Sequence, residues 1–325
     1  MRSSSLQSDR ASAASIILAF ACLYFFWGTT YTAIRVGVAA IPAPLLAGVR
    51  FLISGAILLA WCTWRGMKIA HPPRALLNEA VVALLLLGCS NVSLVYAEKT
   101  LPSGLAALSY AVIPLYVALI ESLIPGGETL SARGWLGILL GFAGLAALLW
   151  PSLHTAVAGS SAVSWALAAL LGGAFSWTIG SIYSRHARRM VPVFVAAGWQ
   201  MLFAGVFNTA LGTALGEWPQ AHLNRAALVS LAYLITGGSL IGYSAFVYLL
   251  EHVPVAKVTS YTWVNPLVAV LAGVVLLHER LVSTELAGMA AIVVAVILLT
   301  TSQIRTKRKQ DSIEGLEQLP GEGAT

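Results

Sequence analysis

Apolar runs of about 20 residues recur from one end of this chain to the other, and a helix needs a run of that length to cross a hydrocarbon layer. Inside lipid every backbone N–H and C=O must be bonded within the protein, so such runs become helices. The composition agrees. Of 325 residues, 58% are hydrophobic and 10% are charged, too little charge to cover a water-facing surface. The formal net charge of +6 sits in the connections between runs. That is how membrane proteins fix their orientation, and it does not form a nucleic-acid patch. Cys22, Cys62 and Cys89 fall inside apolar runs and read as small, reduced, buried residues. Arg2 and Arg10 precede an apolar run over 16–34 that is too long for a cleaved signal, so a retained first span is expected.

Ten spans are expected, over 16–35, 44–64, 80–97, 103–124 and 132–150, then 165–184, 192–215, 226–250, 255–277 and 285–302. The connections are short and rich in turn formers, such as Pro72-Pro73, Pro102-Ser103-Gly104 and Pro125-Gly126-Gly127. Of the 19 Lys and Arg, 14 fall on the side of the N-terminus, four on the other, and Arg50 lies within the second span. That asymmetry puts both termini in the cytoplasm. The segments expected are an N-terminal piece over 1–15, a five-span unit over 16–150, an outer connection over 151–164, a second five-span unit over 165–302 and a polar, disordered tail over 303–325.

The two units carry one pattern. Val95-Tyr96, Pro102 and Pro114-Leu115 return 152 residues later as Val247-Tyr248, Pro254 and Pro266-Leu267. Glu128 and Gly137 return 151 residues later as Glu279 and Gly288. Each unit has an odd number of spans, so the second runs inverted relative to the first. Inverted repeats usually share a substrate site near the membrane midplane and expose it to each side in turn.

Trp27-Gly28-Thr29-Thr30-Tyr31 followed by Arg50-Phe51 resembles the start of an EamA-type repeat. Glu128-Thr129-Leu130 to Gly137 and Glu279-Arg280-Leu281 to Gly288 resemble the ends of such repeats. The resemblance covers residues 16 to 302 and implies the ten-span branch of the drug/metabolite transporter superfamily. Its members are inner-membrane carriers, mostly exporters of amino acids and related metabolites. The second half lacks an Arg50-Phe51 equivalent, since Gln200-Met201 falls there. Any role of Arg50 is confined to one half.

Polar and aromatic side chains inside spans are costly beside lipid, so their clusters mark candidate sites. The ninth span holds Ser260, Tyr261, Trp263 and Asn265 ahead of Pro266, and the fourth holds Ser109 and Tyr110 ahead of Pro114. The two prolines are expected to kink their helices. Tyr24, Trp27, Tyr31 and Arg35 share one helical face. Asn91 and Tyr96, Trp177, and Ser239 and Tyr243 add groups from the third, sixth and eighth spans. Taken singly, each has a structural alternative: aromatic belt residues at span ends, or hydroxyls bonded back to their own helix. For Trp263 and Asn265 the substrate reading is preferred, and Trp263→Ala is expected to cut transport without lowering yield. Arg50 could hold a carboxylate, or it could tie helices together. Glu121 is the one acid placed securely within a span.

These features describe an all-α polytopic membrane protein that moves small metabolites, with amino acids preferred, by alternating access. A channel-like facilitator and a polytopic enzyme are the alternatives. The enzyme is disfavoured because all six His lie in connections or at span ends. No cofactor, metal or nucleic acid is expected. The partners are a small-molecule substrate and the bilayer, and a monomer is admissible.

Overall fold

The computed structural model describes residues 12–98, 109–156, 161–187, 191–277, 283–302 and 304–306. Helices α1 (Ala13–Val38) and α2 (Ala43–Trp64) are followed by α3 (Pro73–Ala83), a π-helical segment (Leu84–Ser90) and α4 (Asn91–Glu98), which run on without a break. Then come α5 (Ile113–Leu123), strand β1 (Glu128–Leu130), α6 (Ala132–Ala156), α7 (Ser161–His186) and α8 (Val193–Ala214). Helix α9 (Arg225–Tyr233), a second π segment (Leu234–Tyr243) and α10 (Ser244–His252) form another continuous span. The short α11 (Val255–Val258), α12 (Tyr261–Leu277), α13 (Ser283–Thr300) and strand β2 (Ile304–Thr306) complete the order. Six stretches are long and apolar enough to cross a membrane, and Ile113–Leu123, Ala132–Leu148 and Leu286–Thr300 are shorter apolar helices. The chain is a multi-pass, predominantly helical membrane protein.

Helix ends follow local chemistry. Ser12 caps α1 by accepting from the Ser15 N–H at 3.1 Å, and Asn224 caps α9 by accepting from the Ala227 N–H at 2.8 Å. Prolines at the first or second helical position open α2, α3 and α5. Gly66 and Gly216 follow α2 and α8 with φ of 75° and 66°, a left-handed conformation that favours glycine. In both, the next residue donates to the carbonyl five residues back, Met67 to Cys62 and Glu217 to Gly212, closing a Schellman turn.

The helices that correspond in the two halves pack on each other. Antiparallel α2 and α8 meet through glycines seven residues apart: Gly48 and Gly55 on one, Gly198, Gly205 and Gly212 on the other. Each faces a residue of the opposite helix: Gly48 meets Thr209, Gly55 meets Leu202, Gly205 meets Leu52, Gly198 meets Leu59 and Gly212 meets Leu45. Helices α6 and α13 repeat the device, with Gly144 against the Gly288 carbonyl and Gly288 against the Leu148 N–H. Small residues let backbones approach where lipid provides no hydrophobic drive to association.

Two expectations need correction. The connection over 151–164 is largely helical, because α6 runs through Pro151 to Ala156 and α7 begins at Ser161. An interior proline removes one donor and does not by itself end a long apolar helix. The chain is not purely α-helical, since β1 and β2 pair antiparallel with Glu128 opposite Thr306 and Leu130 opposite Ile304. Part of the expected tail therefore forms a strand. Along α7, Gly172, Ser176, Gly180 and Ser184 recur every fourth residue, and this row is only partly an interface. Gly180 meets Leu86, while a Cβ on Gly172 would meet nothing within 4 Å.

A Cβ on Gly205 would lie 2.6 Å from the Leu52 nitrogen, so Gly205→Ala is expected to cost about 1–3 kcal/mol through overpacking. Thermal melts of purified protein should show a clear drop for Gly205→Ala and none for Gly172→Ala.

Candidate substrate site

The two π segments occupy matching places in the two halves: shifting Leu84–Ser90 by the repeat offset of 152 puts it inside Leu234–Tyr243. A π turn misaligns backbone carbonyls, and in lipid these need other donors. Neighbouring helices supply them. Ser176 donates to the Leu85 carbonyl at 2.8 Å, Asn208 to Leu87 at 3.1 Å and Tyr110 to Ser90 at 2.8 Å. In the second half, the Trp27 indole N–H donates to the Gly238 carbonyl at 3.0 Å.

Between these segments lies a cavity of about 90 Å³. Its walls are aromatic. The rings of Trp27 and Tyr261 stand edge to face at 4.9 Å, Trp27 and Trp177 at 5.6 Å, and Phe246 packs at 5.2 Å from Trp27 and 5.3 Å from Trp177. Such pairs prefer these tilted and edge-on arrangements and hold one another rigid. Tyr110, Tyr243, Thr30, Phe51 and Asn91 also line the space.

Arg50 reaches this cavity from α2 and is buried, at 8% exposure. Its Nε donates to the Ser239 hydroxyl at 2.7 Å, and its guanidinium lies over the Phe51 ring at 4.8 Å. Gly238 makes room for it, since a Cβ there would stand 2.7 Å from a terminal guanidinium nitrogen. Two ion pairs occur among the described residues, Arg185–Glu128 and His186–Glu121, and neither involves Arg50. Two further lining groups are unsatisfied: the Trp177 indole N–H and the Asn265 side-chain oxygen are buried without a hydrogen-bond partner. Buried polar atoms without partners are costly. The cavity thus presents a cation, a free donor and a free acceptor inside an aromatic enclosure.

The two ends of the bundle differ. A second small cavity shares Ile34, Arg50 and Asn91 with the first and extends to Val38 and Ala43, where α1 gives way to α2. The opposite end, which carries Arg65, Arg74 and Arg185, is cross-linked. His186 bonds the buried Glu121 at 2.9 Å, and the Glu128 N–H donates to the same carboxylate at 2.8 Å. Arg185 pairs with Glu128 at 3.2 Å and donates to the Glu251 carbonyl at 2.6 Å. These contacts join α5 and β1 of the first half to α7 and α10 of the second.

The cavity gathers Trp27, Asn91, Tyr110, Trp177, Tyr243, Tyr261, Asn265 and Arg50, all expected from the sequence. Ser239 supports the site by holding Arg50 and does not line it. Trp263 is misplaced by the sequence reading. It is fully buried in a separate cluster, its ring covers Gly141, and its indole N–H donates to the Ala111 carbonyl at 3.3 Å. Ser260 is spent on Tyr24 at 2.7 Å and on the Lys257 carbonyl. Tyr96 points to Glu217 at 3.3 Å, and Ser109 does not line the cavity. Pro266 lies inside α12, and Pro114 sits in the first turn of α5, directly after a turn at Ala111-Val112 that interrupts the helical backbone of Ser109-Tyr110. The Tyr31 and Arg35 side chains lie outside the described residues. On α1 the lining face runs Trp27, Thr30, Ile34. The three-and-four spacing from Trp27 could have flagged Thr30 and Ile34. Gly238 left no sequence signal beyond its place in a Gly-Gly pair.

Family comparison agrees with this architecture. The EamA-like transporter family matches twice, over 14–150 and 164–301, and the chain belongs to that family within the drug/metabolite transporter superfamily. It is a membrane transporter. It is 38% identical over 280 residues to the uncharacterized inner membrane transporter YedA of Escherichia coli K12, covering 86% of this chain and 88% of that protein. It is 27% identical to the uncharacterized transporter YvbV of Bacillus subtilis 168 over 294 residues, covering 88% of this chain and 91% of the other. A crystal structure with 23% identity superposes with a TM-score of 0.75 over 89% of this chain and 97% of its own, a likeness of fold.

Removing the Trp263 ring empties a packed site, so Trp263→Ala is expected to cost about 3–5 kcal/mol of stability. Membrane yield and melting temperature should both fall. Trp177→Phe, which keeps one ring and leaves a smaller void, should lower both much less than Trp263→Ala does.

Proposed function

We propose that this protein is a secondary carrier of the inner membrane that exports small metabolites, with zwitterionic amino acids the substrates its cavity suits best. The observation that carries the reading is Arg50: a buried guanidinium facing an aromatic cavity, with no acid paired to it among the described residues. A planar guanidinium binds a carboxylate through two parallel hydrogen bonds. The Trp177 N–H is a further donor for that carboxylate, and the Asn265 oxygen is an acceptor for an ammonium group. The faces of Trp27, Trp177 and Tyr261 attract the same ammonium. The enclosure of about 90 Å³ favours a compact solute.

Movement follows from the repeat. Ten spans in two inverted five-helix units, with both termini cytoplasmic, make the cross-linked end the inner one. This conformation is then the outward-facing one, with the inner side locked by Glu121–His186 and Glu128–Arg185. Export requires that lock to open while the helices around Val38 and Ala43 close, an exchange of conformations between the halves. A continuous pore fits less well with a cross-linked end, and single-channel recording tests it: discrete conductance steps would count for the pore.

Counterflow in liposomes, with a panel of labelled amino acids, tests the carrier. Replacing Arg50 by Gln removes charge-assisted bonds of about 1.5–3 kcal/mol, so flux of carboxylate-bearing solutes should fall by roughly one to two orders of magnitude. Equal flux in Arg50→Gln and the unaltered protein would sink the assignment.

A further inference from the structure

Glu79 lies six residues inside the continuous helix that begins at Pro73, about 9 Å along its axis. It belongs to the apolar stretch Pro73–Ala97 and is half-buried. The Gln200 amide donates to its carboxylate at 2.5 Å, and the Tyr243 hydroxyl donates to the Gln200 oxygen at 2.7 Å. Gln200 and Tyr243 are both about 1% exposed. Tyr243 lines the substrate cavity. A carboxylate near the inner end is therefore linked to the site by a single amide. An ionisable group inside a span usually has a function.

We infer that Glu79 is a proton-binding site, and that its protonation reverses the hydrogen-bond polarity that Tyr243 presents to the cavity. The reading rests on the carrier function above. An ionised carboxylate only accepts, so Gln200 must turn its NH₂ toward Glu79 and its oxygen toward Tyr243. Tyr243 then spends its proton on Gln200 and offers lone pairs to the cavity, which suits an ammonium group. When Glu79 gains a proton on one carboxylate oxygen, it becomes a donor. The Gln200 amide can then turn over, accept from Glu79 and donate to Tyr243. The Tyr243 O–H is released toward the cavity, which disfavours the ammonium group. Only one proton is exchanged with solvent, and the amide transmits its effect without carrying it. Binding linkage is reciprocal, so a bound ammonium group also holds Glu79 ionised.

A small cavity of about 20 Å³ lies beside Glu79, bordered by Asn78, Ser184, Ala187 and Gln200. Among the described residues, the elements packed against α3 carry few other ionisable groups. Helix α8 has no ionisable side chain, and the first π segment has only the exposed Cys89. Helix α7 carries Tyr183, which donates to Asn78 at 2.8 Å, and also Arg185 and His186, which are engaged with Glu128 and Glu121. Arg74, on α3 itself, is exposed.

The test uses the full chain in liposomes. Infrared difference spectra between acid and alkaline buffer should show a protonated-carboxylic-acid band, and one component of it should be lost in Glu79→Gln. Counterflow of labelled alanine, leucine and threonine should weaken as pH is lowered through that titration, by roughly tenfold, and should be independent of pH in Glu79→Gln. Gln200→Leu should keep the infrared band and lose the pH dependence of flux. An unchanged infrared band in Glu79→Gln, or pH-dependent flux persisting in it, overturns the inference. If the unaltered protein moves none of the three amino acids, the substrate reading falls, and the infrared comparison still decides whether Glu79 binds a proton. If the Gln200→Leu flux keeps its pH dependence, the polarity relay is wrong.

Discussion

A backbone in hydrocarbon has no water to bond, and every deviation from the α-helix must be repaired by a neighbour. The two π segments are where this protein departs from the rule, and the site forms around their repair. Ser176, Asn208 and Tyr110 donate to carbonyls of the first segment, and Trp27 to a carbonyl of the second. Those donors pin α1, α7, α8 and the segment just ahead of α5 to the irregular turns. The same bonds that satisfy the backbone therefore orient Trp27 and Tyr110 toward the cavity. Function and backbone chemistry are solved by one set of contacts.

Around that centre the electrostatics are unequal. At the end carrying Arg185, acids and bases of the two halves neutralise one another. In the cavity, Arg50 is held, among the described residues, by a hydroxyl and an aromatic face. A buried cation without an anion is costly, and under the proposed function an entering carboxylate relieves that cost. The three glycines of the second π segment make this possible. Gly237, Gly238 and Gly242 bring Phe26, Arg50 and Trp27 within contact of the backbone.

The helices, and most of the residues that line the cavity, are legible in the sequence, because hydropathy and proline spacing are one-dimensional signals. What the sequence concealed was rotation about helix axes. Trp263 and Tyr261 are two residues apart, yet one is packed on Gly141 and the other faces the cavity. Two residues apart on a helix they lie on opposite faces, and hydropathy does not say which face meets the cavity, since lipid and protein faces are alike in hydrophobicity. Glu79 was missed for a related reason. The span was started at residue 80, but Pro72-Pro73 already begins the helix, so the acid lies inside it. The π segments were invisible, because their residues are ordinary and only their hydrogen bonds differ.

The β1–β2 pair adds one mechanical consequence. Strand β2 follows the last helix, and its partner β1 contains Glu128, one of the residues bonded to Arg185. Strand β2 is thus tied, by a ladder three residues long, to the strand that carries the Arg185–Glu128 contact. In the proposed carrier, a pull on β2 loads that contact through the ladder and acts as a brake or a release on the exchange between states.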